Sequence, residues 1–587
     1  MQIQGIIERV NGSLIIASFS QKPKIGDLVE IGNLKLMGEV ISLIGDRAAI
    51  QCYEVTSGLK PGEVVSDTGK PLVAELGPGI MGVIFDGLQR PETALLEMTG
   101  SFIKRGVVAP PLDRKKKWYF ISKIKRGEEV IAGDIIGTVR ETESIEHRVL
   151  VPTGAKGAIT DIKEGKFTVT EPVAMLKAGE QEMELTMMQT WPVRIPRPYK
   201  ERIPLTMPLI TGQRVTDTFF PVAKGGAACI SGGFGTGKTV TLQQIAKWAD
   251  SDIIIYIGCG ERGNEMADVV THFPEIKDPK TGRGLIERTV IIANVSNMPV
   301  SAREASMYIG VTMAEYFRDQ GYDVAIMADS TSRWAEALRD ISGRLEEIPA
   351  ESGYPAYLSD RIAEIYERAG RVYTLGKENR IGSVTIMGAI SPPGGDFSEP
   401  VTTHTLRFIG TFWALEQELA FRRHFPAIHW LKSFTRYLSI TARWWSKYDP
   451  DWYALRSKAM SLLEEASEIE ETARIIGEKA LPDEQRLILL VADMIKEGFL
   501  VQNAYHEIDT YCDVEKQAKL LRALVDFYNV IEPLIKNGVP IEKIRALSVV
   551  SELMRAKETK GLDEIARLRT VTRKQAEEIA KEYRVNI

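Results

Sequence analysis

Eight residues near the middle of this 587-residue chain constrain it more than anything else in it. Gly232-Gly233-Phe234-Gly235-Thr236-Gly237-Lys238-Thr239 fits G-x-x-x-x-G-K-[ST] without a mismatch. It follows the apolar run AACIS and opens the helical stretch VTLQQIAKWAD, which is the order that phosphate binding needs. Glycines let backbone N–H groups turn inward onto phosphate oxygens, and the helix start adds partial positive charge. Lys238 is placed to reach the β- and γ-phosphates, and the Thr239 hydroxyl to bind Mg2+.

The surrounding residues supply the sheet such a loop requires. Between about Met187 and Trp430, buried-strand runs (AACIS, DIIIYIG, TVIIANV, DVAIMA, SVTIMGAI) alternate with helical stretches such as AREASMYIGVTMAEYFRDQ. That alternation implies a parallel sheet with helices on both faces. Hydrolysis also needs carboxylates. DVAIMADS puts Asp329 directly after a strand, where it can hold the Mg2+ hydration shell, and DIIIYIGCGERGNE puts Glu261 just past another. Carboxyl ends of strands line the ligand crevice of an open α/β sheet. A glutamate there, on a strand expected beside the phosphate loop, could act as a general base toward water. Either acid alone could equally be a helix cap or a surface ion pair; beside an intact loop they read as one site.

Elsewhere the texture differs. Residues 1–70 carry near-alternating apolar residues broken by Asn-Gly, Gly-Asn and Gly-Asp turns, the pattern of a small β-barrel. Residues 71–111 read as a bridge toward the nucleotide domain, and 112–185 as an inserted β-rich domain. The basic run Arg114 to Lys117 could be a contact patch, although such runs are more often a solvated face. Residues 186–435 form the phosphate-loop α/β domain, and 436–587 a helical bundle. In the bundle Leu455, Ala459, Leu462, Ala466, Ile469, Ala473 and Ile476 recur at helical spacing, with Gly477 as the stop. Net charge is −5, so the chain carries no basic footprint for nucleic acid. Four cysteines lie far apart and six histidines show no HxxxH spacing, which argues against disulfide and zinc frameworks. No apolar stretch reaches the ~18 residues of a membrane span. The expectation is a multidomain cytosolic protein.

GQRVTDTFFPVAKGGAACISGGFGTGKTV, YIGCGERGNEM, ANVSNMPVSAREASMY, DVAIMADSTSRWAEALR, RLEEIPAESGYPAYL and SPPGGDFSEPV together resemble the catalytic A subunit of archaeal- and vacuolar-type rotary ATPases. The resemblance spans essentially the whole chain, including the insertion that the F-type β subunit lacks. It implies a RecA-like nucleotide domain and a head in which three A and three B subunits alternate. That head would turn a central stalk, braced by peripheral stalks, and couple ATP chemistry to H+ or Na+ movement in a membrane sector. The chain would then be cytoplasmic and peripheral to the cell membrane, with ATP or ADP and phosphate bound together with Mg2+. By the same resemblance Glu261 is the catalytic glutamate and Arg262 its neighbour near the phosphates. Glu265 is a second acid near the metal-bound water, and Arg333 faces the γ-phosphate region. Phe425 stacks on adenine with Tyr505 opposite, and Gln502 and Val240 join the nucleotide contacts.

Two positions depart from the family pattern. Gly233 stands where proline or alanine is usual, which leaves the loop more flexible. Thr236 stands where many eukaryotic relatives carry an oxidisable cysteine, and Cys259 nearby reads better as a small buried hydrophobe. Two other readings compete. A non-catalytic nucleotide-binding subunit tolerates a degraded loop and no catalytic glutamate, which this chain does not show. A nucleic-acid translocase or export motor on the same core calls for a basic, aromatic-interleaved surface, which it lacks.

Overall fold

The computed structural model of the chain describes residues 3–100, 103–278 and 281–585, so the first two residues of the expected barrel and the last two of the expected bundle lie outside it. Six strands close a barrel in the spatial order Gln4–Asn11, Leu14–Phe19, Arg47–Cys52, Leu36–Ile44, Asp27–Ile31, Val64–Pro71. Ile7, Ile15, Val29, Val40, Ile50 and Val65 fill its interior. Closure leaves no unpaired strand edge.

The chain leaves the barrel along Val73–Leu76, which pairs antiparallel with Gln189–Pro192. Those two strands form a neck, so the inserted domain begins and ends at one place. The insert is two four-stranded sheets, and Phe120, Val130, Ile136, Ile159 and Leu176 lie in its core. In the basic run, Arg114 pairs with Glu75 and Lys116 lies 3.9 Å over the Trp118 ring, so two of its cations are spent internally.

The nucleotide domain is built on one large sheet, in the order Phe434–Thr435, Thr411–Ala414, Ala227–Ser231, Ile381–Ile390, Asp323–Asp329, Ile253–Glu261, Thr289–Val295, Ile84–Phe85. From Thr411–Ala414 to Ile84–Phe85 the pairing is parallel; Phe434–Thr435 adds an antiparallel edge, and Gly370–Tyr373 pairs antiparallel with the start of Ile381–Ile390. Two points depart from expectation. Ile84–Phe85, from the bridging segment, is itself a strand of this sheet. And Glu261 is not on the strand next to the phosphate-loop strand: Ile381–Ile390 and Asp323–Asp329 lie between them. Strand order depends on which faces pack together, and the periodicity within each run carries no record of that.

The helix Val300–Asp319 is buried nearly all round because it lies between this sheet and the neck. The C-terminal bundle packs on the opposite face. Its long helix Trp452–Ile476 buries Leu455, Ala459, Leu462 and Ala466, half-buries Ile469 and Ala473, and leaves Ile476 exposed. Gly477, at φ +86°, ends it. No described helix is long and apolar enough to cross a membrane.

Candidate active site

The phosphate loop links Ala227–Ser231 to the helix Lys238–Trp248. Gly235 and Gly237 adopt φ of +79° and +89°, left-handed conformations that only glycine holds without strain. The Thr236 hydroxyl donates to the Gly233 carbonyl at 2.8 Å and pins the turn from inside, with Thr236 itself buried. Lys238 folds back on the loop, its Nζ donating to the Gly232 and Gly233 carbonyls at 2.7 and 2.9 Å. Burial lowers its pKa against the pull of Asp329, Glu261 and Glu265, which places those three acids around its ammonium. Phe234 stands 74% exposed at the tip, with the Arg262 guanidinium 4.7 Å over its ring. Val240 is exposed in the first helical turn.

The sheet brings the acids in from its carboxyl ends. Asp329 closes Asp323–Asp329, is 3% exposed, and accepts from the Tyr256 hydroxyl at 3.2 Å. Burial raises its pKa, while the Thr239 hydroxyl, Lys238 and Tyr256 oppose that rise. Glu261 is pushed up to about 7, chiefly by burial and then by the negative charge of Asp329. Glu265 sits in the first turn of the helix Gly263–Glu275, with Arg262 as the residue before it. Arg333 opens the helix Thr331–Arg344 and pairs with Glu336 at 2.9 Å, on the same side as Glu261 and Glu265.

These carboxylates, with the Thr239 hydroxyl among them, are an acidic cluster with one ammonium to balance it. Such a set suits a hard divalent cation that takes one or two protein oxygens and fills its remaining positions with water and phosphate. Among the described residues no group of three or more His, Cys, Asp or Glu is placed to hold a metal ion.

On the base side, the Phe425 ring flanks the loop: a Cβ at Gly237 would lie 3.6 Å from it. Tyr505 stands 85% exposed on the irregular segment that follows residue 500. Gln502, expected to touch nucleotide, is instead 2% exposed. Its amide oxygen accepts from the Arg214 N–H at 2.8 Å, and its amide nitrogen donates to the Gly212 carbonyl at 2.8 Å. Its backbone N–H donates to the Phe425 carbonyl at 2.8 Å. Both amide atoms of Gln502 are thus spent inside the protein, and its backbone N–H braces Phe425.

Sequence reasoning missed two further residues. Tyr256 reads as one more core aromatic in a strand, and nothing in its run announces the bond to Asp329. Arg303 packs against Gly260, where a Cβ would meet its Nε at 2.8 Å. It donates to the Ser296 carbonyl, and the Ser296 N–H in turn donates to the Glu261 carbonyl, both at 2.9 Å. Arg303 thus steadies the strand end that carries Glu261. Cys259 is buried, and its thiol is pushed up to about 12 by that burial.

Comparison with known proteins gives four family matches along the chain. They are the ATP synthase alpha/beta β-barrel domain over 7–69, the barrel-sandwich domain over 109–194, the nucleotide-binding domain over 212–435, and the C-terminal domain of V and A type ATP synthase over 442–545. The A subunit of the A-type ATP synthase of Thermofilum pendens is 55% identical, covering 100% of this chain and 98% of its own. Its counterpart in Methanopyrus kandleri is 54% identical over 100% and 97%. The V-type ATP synthase alpha chain of Thermoanaerobacter pseudethanolicus is 56% identical over 94% of both. Among solved structures, the ATPase EscN of an enteropathogenic E. coli type III secretion system superposes with a TM-score of 0.64 at 22% identity, covering 89% of this chain and 100% of that one. At that identity the likeness extends to the fold alone.

Proposed function

The chain belongs to the family of A-type ATP synthase A subunits, and we propose that its phosphate loop binds ATP, or ADP and phosphate, with Mg2+, while Glu261 activates the attacking water. It is a catalytic subunit of an ion-translocating ATP synthase, an enzyme that makes or hydrolyses ATP.

The single observation that supports the assignment is the place of Glu261, at a strand end beside Lys238 and Asp329, where burial raises its pKa. A general base works best with a pKa near the operating pH. In hydrolysis Glu261 accepts a proton from water as the oxygen attacks the γ-phosphorus; in synthesis it returns that proton. Lys238 leaves the Gly232 and Gly233 carbonyls for the β- and γ-phosphate oxygens, exchanging two neutral acceptors for charged ones. The backbone N–H groups of 232–240 cradle the phosphates. Thr239 and Asp329 would hold Mg2+, with Glu265 beside its hydration shell. When bound, the ion supplies charge neutralisation across the phosphate oxygens. Arg262 and Arg333 face the γ-phosphate side, and Phe425 with Tyr505 flanks adenine.

One charge is still needed, on the side of the phosphoryl group away from the loop. In related ATPases an arginine finger provides it. We assign it to the B subunits that alternate with this chain three by three, in a head joined by central and peripheral stalks to a membrane ion-translocating sector. The head would lie at the cytoplasmic face of the cell membrane.

The test uses Glu261→Gln in the assembled complex. The amide keeps the shape but cannot take a proton from water, so MgATP should bind normally while turnover falls by about 10²–10⁴-fold. Turnover at the wild-type rate would refute the assignment of Glu261.

A further inference from the structure

Arg214 makes no contact with the reacting acids, and no part of the reaction uses it. It is nonetheless 0% exposed and serves as the hub of a network. Its Nη1 pairs with Asp509, itself 2% exposed, at 2.6 Å. Its Nε donates to the Phe499 carbonyl and its Nη2 to the Val501 carbonyl, both at 2.7 Å. A buried guanidinium left unsatisfied costs several kcal/mol, so a site like this persists only when its donors are matched. Here the acceptors all come from one stretch of chain, 499–509, which lies 285 to 295 residues away in sequence.

That stretch has little regular structure of its own. After the π-helical turn Lys496–Leu500 it runs through bends and turns until the helix Val514–Lys536 begins. Without ladder hydrogen bonds, its shape is set by what it is tied to. The ties converge on the Arg214 segment. Gln213 donates to the Thr510 carbonyl at 3.0 Å, and the Cys512 N–H donates to the Gly212 carbonyl at 2.9 Å. The Asn503 N–H reaches the second Asp509 oxygen at 2.8 Å. Gln502 then passes the arrangement on, accepting from the Arg214 backbone N–H with its side chain and donating to the Phe425 carbonyl with its backbone. On the other side Lys557, from the helical bundle, donates to the Glu497 carbonyl at 2.6 Å.

We propose that Arg214 is a positioning residue for the nucleotide base, which fixes the 499–512 segment against Phe425 through Asp509 and Gln502 and so sets base affinity apart from phosphate affinity. The inference rests on the reading of Phe425 and Tyr505 as the adenine slot. Arg214 touches neither nucleotide nor phosphate loop; it acts through the segment that carries Tyr505 and anchors Phe425.

The experiment compares MgATP with magnesium tripolyphosphate, a ligand with the phosphates and no base. Arg214→Lys and Asp509→Asn should weaken MgATP binding to the full chain by about tenfold, the scale of one lost base stack, and leave tripolyphosphate affinity within about twofold. In the assembled complex KM for ATP should rise while kcat is kept, the pattern of lost ground-state binding. Should Arg214→Lys fail to fold, Gln502→Leu carries the same test, because it removes the side-chain amide that ties the segment to the Arg214 backbone N–H and the Gly212 carbonyl and leaves the Arg214–Asp509 ion pair intact. Equal weakening of both ligands would show a general structural role and overturn the proposal, as would no change in either. Phe425→Ala separates the two layers of the argument. If it weakens ATP alone while the Arg214 variants do nothing, the anchor fails and the slot stands; if it leaves ATP affinity unchanged, the slot reading falls and the proposal with it.

Discussion

Acid should loosen the base side of this site through one histidine. His424, next to Phe425, is 7% exposed, and its Nε2 is buried without a hydrogen-bond partner. Its pKa is lowered from 6.5 to about 4, first by burial and then by the positive charges of Lys496, Lys557 and His429. Glu470 and Asp493 pair with Lys496, and Glu416 with His429 and Lys432, which tempers those charges and leaves burial as the leading cause. Between about pH 4 and 6.5 the unfolded chain therefore binds a proton here that the folded chain refuses. Stability is complete above the upper bound of this window and falls as pH drops through it. At about pH 5 the difference amounts to about 2 kcal/mol, and at about pH 7.5 to almost nothing. His424→Gln, neutral throughout, removes the term. Unfolding temperatures of the two proteins should keep a fixed gap near neutrality. For a chain this long, that gap should move by roughly 2 °C in favour of the variant at about pH 5. A gap independent of pH would refute the reasoning and show that His424 is protonated as easily in the folded protein as in water.

Four further outcomes concern the loop and its neighbours. Lys238→Ala should abolish turnover in the assembled complex and sharply weaken MgATP binding, read by calorimetry; near-normal ATPase rates would remove Lys238 from the phosphates. Gly233→Ala should be tolerated and stabilise the chain by about 0.5 kcal/mol, since no atom lies within 4 Å of the new Cβ and its φ is not left-handed. Gly237→Ala, at φ +89°, should instead cost about 1–2 kcal/mol and impair binding; thermal unfolding and ATP titration of the pair check both signs. The chain without a B subunit should bind MgATP and turn it over about 10³-fold more slowly than the complex, with the rate restored on adding B; full-speed hydrolysis alone would remove the need for a finger in trans.

What the sequence determined by itself is what local spacing encodes. The phosphate loop is eight contiguous residues between a strand and a helix, so its glycines, Lys238 and Thr239 could be placed before any fold was known. The alternation of strands and helices marked Asp329 and Glu261 as strand-end acids, and the three-and-four spacing of Leu455 to Ala466 marked the buried stripe of the long bundle helix. The tertiary structure decided everything that depends on pairing between distant segments. It put two strands between the strand of Glu261 and that of the phosphate loop, drew Ile84–Phe85 into the nucleotide sheet, and tied the Gln502 amide to Arg214 and Gly212. It joined Tyr256 to Asp329 and Arg214 to Asp509, contacts that span 73 and 295 residues. Periodicity is a property of one element and its solvent, whereas the partner of a buried tyrosine or arginine is chosen by packing among elements, and no run of residues records that choice.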